Sequence, residues 1–410
     1  MSDSANTDKT LTGRWDAALM GNYGTPSLEI VSGSGTRLTD SAGTTYTDLF
    51  SGIAVNSLGH AHPAIVGAVT EQVATLGHVS NIYIHPKTVE LAERLGAALD
   101  VEAPVRAMFC NSGTEANEAA FKIARLTGRS RILAAERGFH GRTMGALSIT
   151  GQPDKREPFE PMPAGAEFFP YGDIDGLRTV VESGDPRDVA AIVLEPIQGE
   201  AGVHTPPEGY LADVRALCDE YGILLVCDEV QTGIGRTGAM FASRHAGIVP
   251  DVITLAKGLG GGLPIGAVLG IGAAGELLRP GQHGSTFGGN PIAAAAALAV
   301  LDTIAAEHLD YHAYRLGRLM TADIEMLDHP LVTEVRGRGL LIGIALAEPV
   351  AAQIVEAARD AGFIVGTAGA SVVRIAPPLI VSEDEIAAFL SALPGLLDGA
   401  ASENTDTNDR

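Results

Sequence analysis

Short apolar segments alternate with helical patterns through the first three quarters of the chain. Six of these segments are continuous apolar runs, which is typical of parallel strands covered on both faces. They are Arg106–Cys110, Arg131–Ala134, Val189–Leu194, Ile223–Cys227, Val252–Leu255 and Ile265–Gly270. Because helical patterns lie between them, the chain is predicted to form a doubly wound, mostly parallel sheet with right-handed crossovers.

The helical patterns have recognisable ends. Apolar residues at helical spacing run from Leu211 to Tyr221, and Gly222 follows where this helix should stop. Another helix is expected to open at Pro63 and stop at Gly77.

The pattern changes after about residue 300. Ser382-Glu383-Asp384-Glu385 forms a capping-box pattern that predicts the start of a late helix. A smaller α/β domain is therefore expected here. Its other predicted elements are strands at Gly339–Leu346, Phe363–Gly366 and Ser371–Ala376 and a helix at Pro349–Asp360.

Composition and charge exclude several classes of protein. The 410 residues include 28 basic and 50 acidic side chains, a net charge of −22, and no basic stretch that would favour nucleic acid. With 46% apolar and 19% charged residues, the chain reads as a globular α/β enzyme. Its three cysteines include no Cys-x-x-Cys pair. No apolar run approaches the ~20 residues of a membrane helix. We expect a soluble, cytoplasmic protein without nucleic-acid or membrane partners.

Polar residues follow four of the candidate strands, at the edge where open α/β sheets bind ligands. The first group is Ser112-Gly113-Thr114, where a strand turns into a helix. Unpaired backbone N–H groups make such a helix start an anion site, and Ser112 and Thr114 add hydroxyl groups. Ser112 and Glu115 also fit an ordinary capping box.

The second group is Asp228 with Glu229 and Gln231. A carboxylate at a strand end could be a metal ligand, a general base, a turn cap or the partner of a cationic ring nitrogen. Because no acidic cluster or spaced histidine pair accompanies it, we expect no metal.

The third and fourth positions are Lys257, before a run of glycines, and Phe139 with Arg142. Desolvation would lower the pKa of Lys257 and make it a Schiff-base nucleophile. The same sequence is also compatible with an ordinary loop lysine that points to water. Phe139 and Arg142 offer a flat surface and a carboxylate fork, or simply a core phenylalanine and a surface arginine. Together, the four positions suit pyridoxal phosphate.

Eight longer segments carry further information: GIAVNSLGHAHP, FCNSGTEANEAAFKIAR, GFHGRTMGALSITGQP, EPIQGEAGV, CDEVQTGIGRTG, TLAKGLGGGLPIGA, HGSTFGGNP and VRIAPPL. With them, the chain resembles the class III pyridoxal-phosphate aminotransferases from about Gly13 to Leu397. The resemblance implies the type I fold, with a large cofactor-binding domain over 46–299 and a small domain from 1–45 with 300–397. It also implies a homodimer with active sites at the subunit interface. The last residues are polar, so a disordered tail is expected at 398–410.

The resemblance also implies roles in cofactor binding. Lys257 would bind the cofactor covalently and shuttle a proton, and Asp228 would pair with the pyridine nitrogen. Phe139 and Val230 would contact the two ring faces, and Gln231 the ring oxygen. The remaining cofactor-binding residues would be Ser112, Gly113, Thr114 and Glu229, with Thr286 reaching the phosphate from the partner subunit.

For the substrates, Arg142 would bind the distal carboxylate and Ser285 would lie beside it. Arg374 would bind the α-carboxylate of glutamate, and Glu200 would neutralise Arg374 while the terminal-amine substrate is bound. The implied ping-pong reaction, a step of arginine biosynthesis, interconverts N2-acetylornithine plus 2-oxoglutarate and N-acetylglutamate 5-semialdehyde plus glutamate. The alternatives are another ω-amine aminotransferase, acting on ornithine, succinylornithine or 4-aminobutyrate, and a non-catalytic pyridoxal-phosphate-binding regulator.

Overall fold

The computed structural model describes the backbone of residues 10–408 and the side chains of residues 10–401. Its strands in this range are β1 (Ile30–Ser34), β2 (Arg37–Asp40), β3 (Thr45–Asp48), β4 (Val105–Cys110), β5 (Arg131–Ala135), β6 (Ala166–Phe169), β7 (Val189–Leu194), β8 (Leu224–Asp228), β9 (Val252–Leu255), β10 (Gly266–Ile271), β11 (Val332–Arg338), β12 (Leu341–Leu346), β13 (Phe363–Ile364), β14 (Gly366–Thr367) and β15 (Val372–Ile375).

The helices of the described residues lie before, between and after these strands. They are α1 (Leu11–Ala18), α2 (Ser51–Ala54), α3 (Pro63–Thr75), α4 (Pro86–Ala97), α5 (Gly113–Leu126), α6 (Met144–Ser148), α7 (Pro153–Arg156), α8 (Ile174–Glu182), α9 (Tyr210–Tyr221), α10 (Pro291–Ala306), α11 (Leu309–Met326), α12 (Ala351–Asp360) and α13 (Glu383–Asn408). All residues of α2 have positive φ, so α2 is a single left-handed turn.

The largest sheet has seven strands in the order β4-β10-β9-β8-β7-β5-β6. The strands from β9 to β6 are parallel, which confirms the predicted α/β fold with a mostly parallel sheet. The prediction of a parallel strand at Ile265–Gly270 was wrong, because β10 is antiparallel to both β4 and β9. The glycine-rich segment 256–265 contains no crossover helix, so β10 returns directly beside β9.

Two smaller sheets pack beside the large one. In the first, β1, β2 and β3 are antiparallel and β13 joins β3 in parallel, so the N-terminal part of the chain pairs with the C-terminal part. The second is antiparallel in the order β11-β12-β15-β14. This pairing accords with a small domain built from both ends, but the bounds 46–299, 1–45 and 300–397 stay a prediction.

The last helix, α13, extends from Glu383 to Asn408. The disordered tail expected at 398–410 stays a prediction. No proline or glycine follows Gly399, so nothing in the sequence terminates the helix there. Residues 1–9 and 409–410, which include parts of the predicted small domain and tail, lie outside the described residues.

The main hydrophobic core extends from the large sheet into the second small sheet and includes α10. The alanine-rich α10 is buried along most of its length and packs against α3. Within residues 10–408, no single helix is long and apolar enough to cross a membrane; α10 and α11 together meet that length and composition but are bent by 65°. Across the same residues, no group of three or more His, Cys, Asp or Glu side chains is placed to hold a metal ion.

Candidate active site

A cavity of about 410 Å³ opens at the edge of the large sheet where the parallel strands end. Because carboxyl ends of parallel strands share one edge, residues far apart in sequence meet there. The loops after β4, β5, β7, β8 and β9 all contribute to its lining. The predicted site residues that line the cavity are Ser112, Gly113, Thr114, Phe139, Arg142, Glu200, Asp228, Val230, Gln231 and Lys257.

Asp228, the last residue of β8, has its carboxylate held by neighbours on both oxygens and is only 3% exposed. Its Oδ2 accepts a hydrogen bond from Nδ2 of Asn117 at 2.7 Å and lies 2.8 Å from Nδ1 of His140. Its Oδ1 accepts the backbone N–H of Val230 at 3.0 Å. This network holds an acidic group in one orientation at the cavity wall, as a partner for a cationic ring nitrogen must be held.

His140 is buried behind Asp228. Because an ionised carboxylate can only accept, Nδ1 of His140 carries the proton between them. Burial lowers the pKa of His140, but the hydrogen bond and negative charge of Asp228 outweigh it, so the pKa lies above its usual 6.5. The imidazole therefore supports the negative charge of Asp228.

Lys257 lies one residue beyond the end of β9, after Ala256, and begins a short 3-10 turn with φ of +41°. A residue with a side chain is uncommon in this left-handed region, and such strain concentrates at functional sites. Burial lowers the pKa of Lys257, against the opposing charge of Glu200. A larger neutral fraction makes the Nζ atom a better nucleophile and base.

The start of α5 forms the capping box that the sequence allowed. Oγ of Ser112 accepts the backbone N–H of Glu115 at 3.3 Å and donates to its Oε2 at 3.0 Å. The backbone N–H of Asn111 donates to the same Oε2 at 2.7 Å. Since the Ser112 hydroxyl serves the cap, an anion bound here would be held chiefly by backbone N–H groups of the first helical turn.

Gly113 and Thr114 join this helix start to neighbouring loops. A Cβ atom at position 113 would lie 2.7 Å from Cγ1 of Val230, so glycine is required by the close approach of Val230. Oγ1 of Thr114 accepts the backbone N–H groups of Arg142 and Thr143, both at 3.0 Å. Thr114 thus places the loop that carries Arg142.

Phe139 and Val230 line the cavity as its apolar walls. The exposed Arg142 lies with its Cζ 5.5 Å from the centre of the Phe139 ring, within cation–π range. The cavity therefore combines an apolar slot with a cation near its mouth.

Glu200 and Arg374 form an ion pair, with 2.6 Å between Oε1 and Nη1. The Arg374 guanidinium is 3% exposed and lies over the Phe50 ring, 5.2 Å from its centre. Gln231 bridges the pair, donating to Glu200 at 3.2 Å and accepting from Arg374 at 3.1 Å. Burial raises the pKa of Glu200, but the charges of Arg374 and Lys257 outweigh it and lower the pKa overall. Arg374 is thereby neutralised by a carboxylate that itself lines the cavity.

The structure does not place Glu229 with the other predicted cofactor-binding residues. Its buried carboxylate accepts the backbone N–H groups of Ala242 and Ser243 outside the cavity. Successive side chains of an extended segment point to opposite sides, so Asp228 and Val230 face the cavity while Glu229 faces away. Glu229 stabilises the following loop instead.

Ser285 and Thr286 also lie apart from the cavity in this chain. Ser285 lines a neighbouring cavity of about 760 Å³, and its Oγ accepts from Nδ2 of Asn111 and the backbone N–H of Gly288, both at 3.1 Å. Thr286 is exposed. Neither residue lines the cavity of about 410 Å³, although Ser285 contacts Asn111, which does.

The cavity-lining residues that were not predicted to be functional include Asn117, His140 and Glu195. Glu195 directly follows β7, as Asp228 ends β8, so the rule used for Asp228 could have found it. Burial raises the pKa of Glu195 to about 7, against the opposing charge of His140. Asn117 and His140 do not directly follow a strand, so the same rule does not identify them. Asn117 lies within α5, and His140 lies in the loop after β5.

A family model described as Aminotransferase class-III matches residues 20–397. This chain belongs to that family. The predicted resemblance is confirmed, and the chain is a class-III aminotransferase.

Individual proteins agree with this family. Curated relatives named acetylornithine aminotransferase include one from Mycolicibacterium smegmatis, 58% identical over 395 residues (96% of this chain, 100% of the relative), and one from Streptomyces coelicolor, 55% identical over 395 residues (96% and 97%). Among solved structures, an ornithine aminotransferase from Toxoplasma gondii has a TM-score of 0.90 at 31% identity, covering 95% of this chain and 94% of that chain. An amine transaminase from an uncultivated Pseudomonas species, solved in its PLP-bound form, has a TM-score of 0.87 at 32% identity, covering 92% and 96%.

Proposed function

We propose that this class-III aminotransferase uses pyridoxal phosphate to interconvert N2-acetylornithine plus 2-oxoglutarate and N-acetylglutamate 5-semialdehyde plus glutamate, a reaction of arginine biosynthesis. The observation that carries the proposal is the Glu200–Arg374 ion pair in the same site as Lys257 and Asp228. An amine donor that has no carboxylate beside its reacting carbon can bind while Glu200 and Arg374 remain paired. Glutamate requires Arg374 to be released from Glu200.

The residues around the cavity fit pyridoxal phosphate. An oriented acid, a lysine with a lowered pKa and two apolar walls line one cavity, and its helix start has backbone N–H groups for a phosphate. When bound, the cofactor supplies an electrophilic aldehyde carbon and a ring that accepts the electrons released at the reacting carbon.

Within this proposal, the protein holds and moves protons at two atoms. Nζ of Lys257 holds the cofactor in the resting enzyme and, as a free amine, carries a proton to and from the substrate carbon that bears nitrogen. Asp228, oriented by Asn117 and His140, keeps a proton on the ring nitrogen. Both tasks depend on a dry site, since water would weaken these electrostatic interactions.

The substrate carboxylates are assigned to two arginines. Arg142 near the mouth would bind the distal carboxylate, and Arg374 would bind the α-carboxylate of glutamate after Glu200 moves away. Gln231 contacts both members of the pair and would stabilise the closed arrangement. An unpaired Arg374 would be costly, which is why the amine half-reaction needs Glu200.

We further propose a homodimer in which Thr286 reaches the phosphate site of the partner subunit and Ser285 its substrate. An exposed apolar segment supports this proposal: Ile82, Tyr83 and Ile84 are 82%, 69% and 89% exposed in the single chain. Such contiguous apolar surface is typical of protein interfaces. The cytoplasmic location inferred from the sequence stays a prediction.

A donor panel tests the proposed substrate. With 2-oxoglutarate as acceptor, we expect kcat/KM for N2-acetylornithine to exceed that for ornithine and 4-aminobutyrate by roughly 10-fold or more, since lost polar contacts of a few kcal/mol separate such substrates. Comparable values for all three donors would refute the assignment in favour of a broader ω-amine aminotransferase. No turnover with any donor, in protein that binds the cofactor, would favour the non-catalytic alternative.

The Glu200→Ala variant tests the ion pair. Without Glu200, only a substrate α-carboxylate can neutralise Arg374, so we expect the ratio of kcat/KM for glutamate to that for N2-acetylornithine to rise by roughly 10- to 100-fold. Both half-reactions are measured separately by the loss or return of the cofactor's visible absorbance. The matched control is Glu208→Ala, an exposed acid in a nearby loop. An unchanged ratio in Glu200→Ala would contradict the role of the pair.

A further inference from the structure

Glu195 joins two loops of the site through one carboxylate. It is 5% exposed and directly follows β7. Its Oε1 accepts the backbone N–H of Phe139 at 2.9 Å, and its Oε2 accepts the backbone N–H of Gly199 at 3.2 Å. The first loop carries Phe139 and Arg142, and the second carries Glu200. The contacts of Glu195 therefore span the two sides of the substrate site.

The backbone beneath this carboxylate is itself held in place. The one hydroxyl hydrogen of Tyr171 is shared between the carbonyl oxygens of Glu195 and Pro196, each 3.0 Å from the hydroxyl oxygen. Burial raises the pKa of Tyr171 well above 10, so its hydroxyl stays protonated and remains a donor. The Glu195 carboxylate thus bonds both loops from a fixed position.

We propose that Glu195 is a positioning residue that sets the two loops relative to each other and, through Gly199, sets the reach of Glu200 toward Arg374. The linkage is a property of the protein without cofactor. Only its kinetic consequence rests on the proposed function. Each oxygen of the carboxylate accepts a hydrogen bond from a different loop. Removing one acceptor oxygen therefore frees one of the two loops.

Two substitutions separate the two bonds. Glu195→Gln keeps one acceptor oxygen, which should stay with Phe139, the shorter bond, and turns an N–H group toward Gly199. Glu195→Met has nearly the same length but no carboxylate acceptor, so both bonds are lost. We therefore expect a graded effect. Glu195→Gln should free one loop, and Glu195→Met should free both.

Hydrogen exchange of the cofactor-free protein, followed by mass spectrometry, measures this effect directly. We expect Glu195→Gln to speed exchange at Gly199 by roughly 2- to 10-fold, the equivalent of one hydrogen bond, and Glu195→Met to speed it at both Phe139 and Gly199. The matched control is Glu229→Gln, since Glu229 also accepts two backbone amides while buried. It should affect Ala242 and Ser243 instead. Unchanged exchange at Phe139 and Gly199, or equal acceleration throughout the chain, would overturn the proposal.

The kinetic readout distinguishes positioning from simple support of the fold. In cofactor-loaded enzyme, Glu195→Gln should raise the glutamate to N2-acetylornithine ratio of kcat/KM by roughly 2- to 10-fold, mainly through KM. A lower kcat for both substrates with an unchanged ratio would contradict the positioning role. Failure of every amine donor, with the exchange result intact, would count against the proposed function alone.

The pH dependence provides a further check on the same carboxylate. Glu195 faces the ionisable groups of His140, Asp228, Lys257 and Tyr171, and burial raises its pKa to about 7. Below that pH the carboxyl group is protonated and has one acceptor fewer for the two loops. In the wild type, the ratio of kcat/KM for glutamate to that for N2-acetylornithine should therefore rise as the pH falls through about 7. The Glu195→Gln variant should lack this change. The same pH profile in both proteins would contradict the role of Glu195.

Discussion

Replacement of Lys257 by alanine is expected to abolish transamination and leave the fold intact. The variant loses both the amine that holds the cofactor and the group that moves the substrate proton. We therefore expect kcat to fall by on the order of 10³-fold or more, since proton transfer by a positioned group alone contributes 10²–10⁴. Alanine keeps the backbone of the turn in the same strained region, so the thermal midpoint should change little.

The Lys257 prediction is checked by turnover with glutamate and by borohydride reduction of loaded wild-type protein. Reduction should attach the cofactor to the peptide that contains Lys257 and to no other. Lys122→Ala, which removes an exposed lysine of α5, is the matched control and should keep wild-type turnover. Retained activity in Lys257→Ala, or labelling of a different lysine, would overturn the assignment of the whole site.

Asp228→Asn is expected to have the second largest effect. The two carboxylate oxygens of Asp228 accept hydrogen bonds from Asn117, His140 and Val230, whereas the amide has only one acceptor oxygen. The amide also has no negative charge to hold a proton on the ring nitrogen. We expect kcat to fall by roughly 10²–10³-fold, as when one preorganised stabilising group is removed from an active site. Asp219→Asn, an exposed acid of α9, provides the control.

The same variant should change stability in a pH-dependent way. Asp228 raises the pKa of His140, so the protonated pair adds stability that is fully present below the unfolded pKa of about 6.5 and is lost as pH rises through the folded value. The difference in free energy of unfolding between wild type and Asp228→Asn should therefore be larger at pH 5.5 than at pH 9. A kcat close to that of the wild type, or a difference independent of pH, would contradict this account of the network.

The large sheet was predicted well because buried parallel strands appear in sequence as continuous apolar runs. Val189–Leu194 and Val252–Leu255 agree with β7 and β9 to the residue. In the large sheet, β6 was missed because it is only partly buried, so its apolar pattern is incomplete. The same reason applies to β11 of the second small sheet. The direction of β10 was predicted wrongly because an apolar run carries no information about strand direction.

The site was predicted less evenly than the fold. Lys257, Asp228 and Gly113 could be found because each adjoins the end of an apolar run. Sequence proximity to Asp228 does not say which way a side chain points, and the Glu229 carboxylate lies outside the cavity.

The sequence by itself determined the family, the α/β architecture and the residue types available at the strand ends. These follow from local patterns, because burial, helix starts and chain turns depend on neighbouring residues. The tertiary structure decided which side chains share the cavity and which carboxylate meets which donor. Asp228 contacts Asn117 and His140, which are distant in sequence but lie at the same edge of the sheet. Glu195 likewise accepts hydrogen bonds from Phe139 and Gly199, which lie on different loops. Such contacts depend on the order and direction of strands, which no local pattern encodes.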